Sequence, residues 1–147
     1  MIKLQPDFKE FLKLLNAHGV KYILVGGYAV SFHGFPRATG DMDLWVEMND
    51  ENAERISAAL HEFGMPEESV PPELFLDPEN LIRIGIPPVQ IEIMTTVSGV
   101  DFGEYFANSI STIVEGTEFQ VIGLDDLKKN KKAAGRYKDL EDLENLP

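Results

Sequence analysis

The chain has 147 residues, of which 44% are hydrophobic, a size and composition that fit one domain with an ample core. It has no cysteine, which excludes a disulfide frame, thiolate catalysis and a thiolate metal site. A formal net charge of -12 argues against a broad nucleic-acid-binding surface, because neutralising phosphates takes Lys and Arg. Residues 1–7 turn polar at once, unlike a signal peptide, and no apolar run approaches membrane-spanning length, so the expectation is a soluble, cytoplasmic protein with no membrane partner.

Phe8, Phe11, Leu12, Leu14 and Leu15 recur at helical spacing and predict an amphipathic helix over about 6–18, closed by Gly19. Tyr22–Val25 reads as a short apolar strand buried on both faces. The chain then returns as a helix from Gly27 to about Phe32, which His33-Gly34-Phe35-Pro36 breaks. Asp41–Glu47 is a second strand. Asn49 or Asp50 caps a helix to about Phe63, with Ala53, Ile56, Ala59 and Leu60 inward. Residues 64–79, rich in proline and acid, read as a loop or irregular crossover. Leu81–Ile86 and Val89–Met94 are strands joined at Pro87-Pro88. In the second, Val89, Ile91 and Ile93 share one face, and Gln90, Glu92 and Met94 the other. A helix over 101–108 follows. Thr112–Val114 and Phe119–Ile122 pair across Glu115-Gly116-Thr117, and helices near 124–134 and 137–145 come last. The mixed order predicts an α+β (mixed α/β) fold, a single domain over 1–147 with no repeat and no linker.

Side chains alternate along a strand, so Asp41 and Asp43 point the same way. Two carboxylates held that close repel unless a cation or a proton lies between them, and a hard divalent ion is the usual solution. The ordinary alternative is a solvent-facing strand edge, against which the apolar run Leu44-Trp45-Val46 argues. Gly26-Gly27, between an apolar strand and a helix, would let backbone come close to a phosphate, or would simply make a tight turn. Glu92 sits between Ile91 and Ile93, an odd place for a charge, and is the best candidate for a third carboxylate. Its bland reading is a solvent-facing strand residue. Arg37 could fork onto a triphosphate, and His33 near its turn reads as structural. Lys128, Lys131 and Lys132 fall at i, i+3 and i+4, one helix face, where stacked positive charge calls for an anionic partner or simply faces solvent.

The stretch Gly26-Gly27-Tyr28-Ala29, His33-Gly34, Arg37-Ala38-Thr39 and Asp41-Met42-Asp43-Leu44 resembles the nucleotidyltransferases of the DNA polymerase beta superfamily. More narrowly, it is similar to the small bacterial and archaeal branch that includes abortive-infection type toxins. Arg136-Tyr137-Lys138-Asp139-Leu140-Glu141-Asp142 resembles the R-x-K-D-x-x-D motif of that branch, with Lys131 matching a lysine just before it. The likeness covers about residues 20–145 and implies a mixed sheet flanked by helices. It also implies that Asp41, Asp43 and Glu92 hold Mg2+, or Mn2+ in its place, that Gly26 and Gly27 contact a triphosphate, and that Lys131, Arg136 and Lys138 serve phosphates. Asp139 and Asp142 would orient those cations or cap a helix. The third carboxylate of the superfamily is often aspartate, and glutamate here is a departure.

The reaction so implied moves an NMP group from an NTP donor to an acceptor hydroxyl on a partner protein, a tRNA or a small molecule, in a toxin–antitoxin setting. The alternative is a catalytically inactive nucleotide- or protein-binding module of the same fold, which Glu92 and the lack of a separate substrate-binding domain motivate.

Overall fold

The structure, a computed structural model, describes residues 4–35, 40–86, 89–97 and 100–147. Arg37 and the Pro87-Pro88 joint lie outside the described residues. The first helix, α1 (Pro6–Ala17), buries Phe8, Phe11, Leu12 and Leu15, the stripe that its spacing predicts, and ends one residue earlier than expected. Strand β1 (Tyr22–Val25) is buried throughout. It runs straight into α2 (Gly26–Phe32), which starts one residue earlier than the sequence suggests. Strand β2 (Asp41–Val46) pairs antiparallel with β1, Val25 opposite Asp43 and Ile23 opposite Trp45.

Helix α3 (Asp50–Phe63) is capped by Asn49, whose side chain accepts the Asn52 N–H at 2.8 Å. The proline-rich crossover after it contains two short 3-10 turns, Glu67–Ser69 and Pro72–Phe75, and the second buries Phe75 in the core. Strands β3 (Leu81–Ile86) and β4 (Val89–Met94) form an antiparallel pair. After α4 (Phe102–Ala107) come β5 (Ile110–Val114) and β6 (Thr117–Val121). This hairpin is longer than its sequence suggests. Glu115 and Gly116 both take positive φ, 52° and 78°, so two residues make the turn and Thr117 already belongs to the strand. Helices α5 (Leu124–Ala134) and α6 (Tyr137–Asn145) follow at the expected positions.

The six strands make one mixed sheet in the order β3-β4-β2-β1-β6-β5, with β2 parallel to β4 and β1 parallel to β6. Alternation gives its two faces different jobs. Tyr22, Leu24, Leu44 and Val46 face α1, as the Tyr22 hydroxyl donating to Asn16 Oδ1 at 3.0 Å shows. Ile23, Val25, Asp41, Asp43 and Trp45 face the other way. Trp45 packs edge-on against Phe102 and Tyr105 of α4, with ring centroids 5.2 and 5.6 Å apart. Among the described residues no helix is long and apolar enough to cross a membrane.

One polar residue locks the frame beneath the functional strands. Asn52, buried on α3, accepts from Lys21 N at 2.8 Å and donates to Lys21 O at 3.1 Å and Glu47 O at 2.7 Å. It thereby ties the helix to the β1–β2 pair at the end remote from Asp43. Removing it leaves buried backbone groups unpaired. Asn52→Ala is expected to lower the unfolding free energy by ~2–3 kcal/mol in urea titration. A loss below ~0.5 kcal/mol would mean that the tie is replaceable by solvent.

Candidate active site

The β1–β2 and β2–β4 registers build the site. Asp43 lies opposite Val25 on one side and opposite Glu92 on the other, and Asp41 lies opposite Gln90. The even spacing of Asp41 and Asp43, and of Glu92 and Met94, puts all four on the face that carries Trp45. The three carboxylates named from sequence are therefore neighbours.

Asp43 is the most constrained of them. Its carboxyl pKa is pushed up to about 7, first by burial, then by a hydrogen-bonding approach of Glu92, then by the charges of Glu92 and Asp41, with Lys138 pulling the other way. Its Oδ1 is buried and has no hydrogen-bond partner among the described residues. Its Oδ2 presses against the backbone of Gly26. A Cβ built on Gly26 would lie 2.1 Å from that oxygen, and the glycine's φ is +68°. Gly26 thus has a task that the sequence did not reveal, since it makes room for the Asp43 carboxylate. Gly27 is buried in the first turn of α2.

Glu92 is 16% exposed and receives the Arg83 Nε–H at 3.0 Å from the edge strand β3. Arg83 was not a sequence candidate. Its signal was its register position opposite Glu92, which becomes visible only when β3 and β4 are paired. Tyr28, also unforeseen, is buried in the first turn of α2. Its hydroxyl pKa is raised by burial and then by the Asp41 charge.

The C-terminal cations divide. Lys131 is 5% exposed and bridges Asp139 Oδ1 at 3.2 Å and Asp142 Oδ2 at 3.1 Å, both of them buried. Of the two readings of the lysine face, Lys131 takes the one with anionic partners, supplied by α6, and departs from the solvated face. Lys131 points inward, Lys128 donates to the Pro147 carbonyl and Lys132 is exposed. Burial disfavours an ionised Asp139, but hydrogen bonds from Arg136 and Lys131 outweigh it and hold its carboxyl below the usual range. Arg136 donates through Nε to Asp139 Oδ2 at 2.7 Å, while most of its side chain stays exposed. Lys138 is exposed in the first turn of α6, close enough for its charge to be felt at Asp43. Arg136 also feels the Asp43 charge. The motif Arg136-Tyr137-Lys138-Asp139-Leu140-Glu141-Asp142 is thus a buried strut, Lys131–Asp139–Asp142, carrying two cations at the rim.

Among the described residues no three Asp, Glu or His side chains form a ready-made metal cage. The donors nevertheless suit a hard cation: crowded carboxylate oxygens, one of them buried and unpaired, with a raised proton affinity that a divalent ion would relieve. Mg2+ is commonly held by one or two carboxylates and completed by substrate phosphates and water, so a full protein cage is not required.

A mixed sheet flanked by helices, with a Gly-Gly turn and two aspartates on its central strand pair, is the nucleotidyltransferase fold. A candidate nucleotidyltransferase of Thermotoga maritima (TM1012) superposes with a TM-score of 0.64 at 16% identity, covering 97% of this chain and 93% of that one. An antigenic nucleotidyltransferase-like protein of Paracoccidioides brasiliensis superposes at 0.60 with 15% identity, covering 93% and 72%. At these identities the likeness is one of fold alone. Residues 5–147 match the family "Nucleotidyl transferase of unknown function (DUF2204)", and the chain belongs to it. No curated protein matches the sequence.

Two measurements probe this geometry. A carboxyl whose pKa is raised on folding stabilises most when both states hold the proton, and that contribution is lost as the pH climbs from about 3.8 to about 7. In metal-free protein the stability of wild type relative to Asp43→Asn is therefore expected to fall between about pH 4 and pH 7, read by urea unfolding. A flat difference would mean that Asp43 titrates normally. Lys131→Met removes a buried ion-pair partner from both Asp139 and Asp142 and should cost ~3–5 kcal/mol. A lysine that served only as a phosphate ligand would leave stability unchanged.

Proposed function

We propose that the protein is a divalent-metal-dependent nucleotidyltransferase that moves an NMP group from an NTP to an acceptor hydroxyl. The observation that carries this reading is the Asp43–Glu92 pair, set in register on parallel strands beside Asp41, in a chain of the nucleotidyl transferase family. Asp41, Asp43 and Glu92 would hold Mg2+ or Mn2+. When bound, the cation would neutralise phosphate charge and favour the alkoxide form of the acceptor. Arg136 and Lys138 at the rim would draw in the triphosphate, and Arg37 is proposed to join them. The Gly26-Gly27 backbone, with no side chain in the way, would let a phosphate approach. Lys131 would act through its strut, fixing α6 and with it Arg136 and Lys138.

The acceptor oxygen attacks the α-phosphorus in line, the bond to the β-phosphate bridging oxygen breaks, and pyrophosphate leaves. The hydroxyl proton passes to Glu92. Catalysis is then mostly positioning and charge neutralisation. A net charge of -12 suits a protein, a small molecule or a limited stretch of tRNA as acceptor better than bulk RNA. A toxin–antitoxin setting rests on the sequence resemblance alone.

A second reading, a nucleotide-binding module without chemistry, is favoured by the Arg83 hold on Glu92 and by the lack of a closed carboxylate cage among the described residues. Incubation with Mg2+, each α-labelled NTP and cell extract as acceptor source separates the two. The active reading expects label transfer with pyrophosphate release, reduced ~100-fold or more in Asp41→Asn and Asp43→Asn. Metal-dependent nucleotide binding without transfer would favour the second reading. Transfer that survives in both variants would overturn the first.

A further inference from the structure

The cavity next to the carboxylates has a feature that the transfer reaction does not explain. It measures about 200 Å³ and runs from Gly26 and Asp43 along the sheet face to Trp45, under α4 and α5. Its far part is apolar, walled by Trp45, Met94, Tyr105 and Ile122. Its near part reaches Asp43, alone of the three carboxylates, and the rim arginine, Arg136. Trp45 lies two residues past Asp43 on the same face, about 7 Å further along the strand. The cavity is therefore charged where phosphates would sit and greasy one ring's distance away.

The polar groups along it are not equally available. Lys131 is spent on Asp139 and Asp142, whereas Arg136, held by Asp139 through Nε, keeps most of its side chain exposed at the phosphate end. The Asn130 side chain, half-buried on α5 in the cavity wall, makes no hydrogen bond among the described residues. The Trp45 indole N–H is likewise buried without a hydrogen-bond partner. A partly open slot, apolar at its far end and with an amide on one wall, suits a flat heterocycle that offers one donor and one acceptor side by side.

Building on the nucleotidyltransferase reading, we propose that this cavity takes the base of the donor nucleotide and that Asn130 selects adenine. An asparagine amide matches the adjacent amino donor and ring-nitrogen acceptor of adenine, pairing with both at once. On the N7/O6 edge that corresponds to N7/N6 of adenine, guanine presents two acceptors and calls for Arg or Lys, and here Lys131 is taken by Asp139 and Asp142 while Arg136 lies at the phosphate end. The two-ring purine also spans more of the apolar wall than a pyrimidine does. Asn130 is thus a specificity residue that sits outside the carboxylate cluster.

Trp45 is the single tryptophan of the chain, so its fluorescence reports what enters this slot. The test titrates ATP, GTP, CTP and UTP with Mg2+ into wild type and Asn130→Ala, reading tryptophan fluorescence and, independently, heat of binding. Circular dichroism melting checks that the variant is folded. The expected result is a Trp45 signal with ATP binding ~10-fold or more tighter than the other three, the preference collapsing in Asn130→Ala while inorganic tripolyphosphate binds both proteins alike. Binding of all four NTPs with equal affinity, or tightest binding of GTP or a pyrimidine nucleotide, overturns the adenine assignment and leaves the transferase reading standing. Heat of binding with a silent tryptophan places the base elsewhere and also overturns it. No binding of any NTP removes the transferase reading and this inference together.

Discussion

Two acidic side chains that are forced into register set the terms for this molecule. Asp43 and Glu92 meet because β2 and β4 run parallel with those residues opposed, and neither can turn away without leaving its sheet face. Burial then denies Asp43 the water that would screen it, and the glycine at the end of β1 lets its carboxylate pack against bare backbone. Left alone, the pair resolves its repulsion by keeping a proton. The other charged groups around it read as responses: Arg83 approaches from the sheet edge, and Lys138 and Arg136 approach from α6.

The C-terminal helices show how one motif can divide its work by depth. Lys131, Asp139 and Asp142 are withdrawn from solvent and join α5 to α6 through charge. Arg136 and Lys138, three positions and one position before Asp139, remain at the surface, where their charges are felt at Asp43. A buried ion pair is weak evidence for stability in itself, but it fixes a geometry firmly, because breaking it strands a charge. That rigidity suits a helix whose outer cations must face a small target.

Most of the fold was legible in the sequence because it is written in short-range periodicity. The helical stripe of Phe8, Phe11, Leu12 and Leu15, the alternation in Val89–Met94 and the Asn49 cap each describe an environment that the structure provides. That Asp41 and Asp43 share a face was legible for the same reason, since parity decides the face, whereas Glu92 was named from its charge between Ile91 and Ile93 and from the family resemblance. What escaped depends on partners far along the chain. The spacing of Lys128, Lys131 and Lys132 says that they share a helix side, but whether that side meets water is decided by where α6 lands. Asn52 looks like an ordinary first-turn polar residue until Lys21 and Glu47 are brought to it. The Glu115-Gly116 turn escaped because a glutamate with positive φ is rare, so a longer loop was the natural reading.

The pairing of β2 with β4 has a kinetic side. Its partners are separated along the chain by α3 and the whole proline-rich crossover, whereas β3–β4 and β5–β6 close locally. Loop-closure entropy makes such distant pairings slow to form, so the local hairpins and helices have the head start and the central parallel contact joins later. Glu92 therefore joins Asp41 and Asp43 only once β2 and β4 have paired. A chain in which β2 and β4 have not paired offers a cation or a nucleotide Asp41 and Asp43 without Glu92, so binding at the whole cluster is coupled to formation of the sheet.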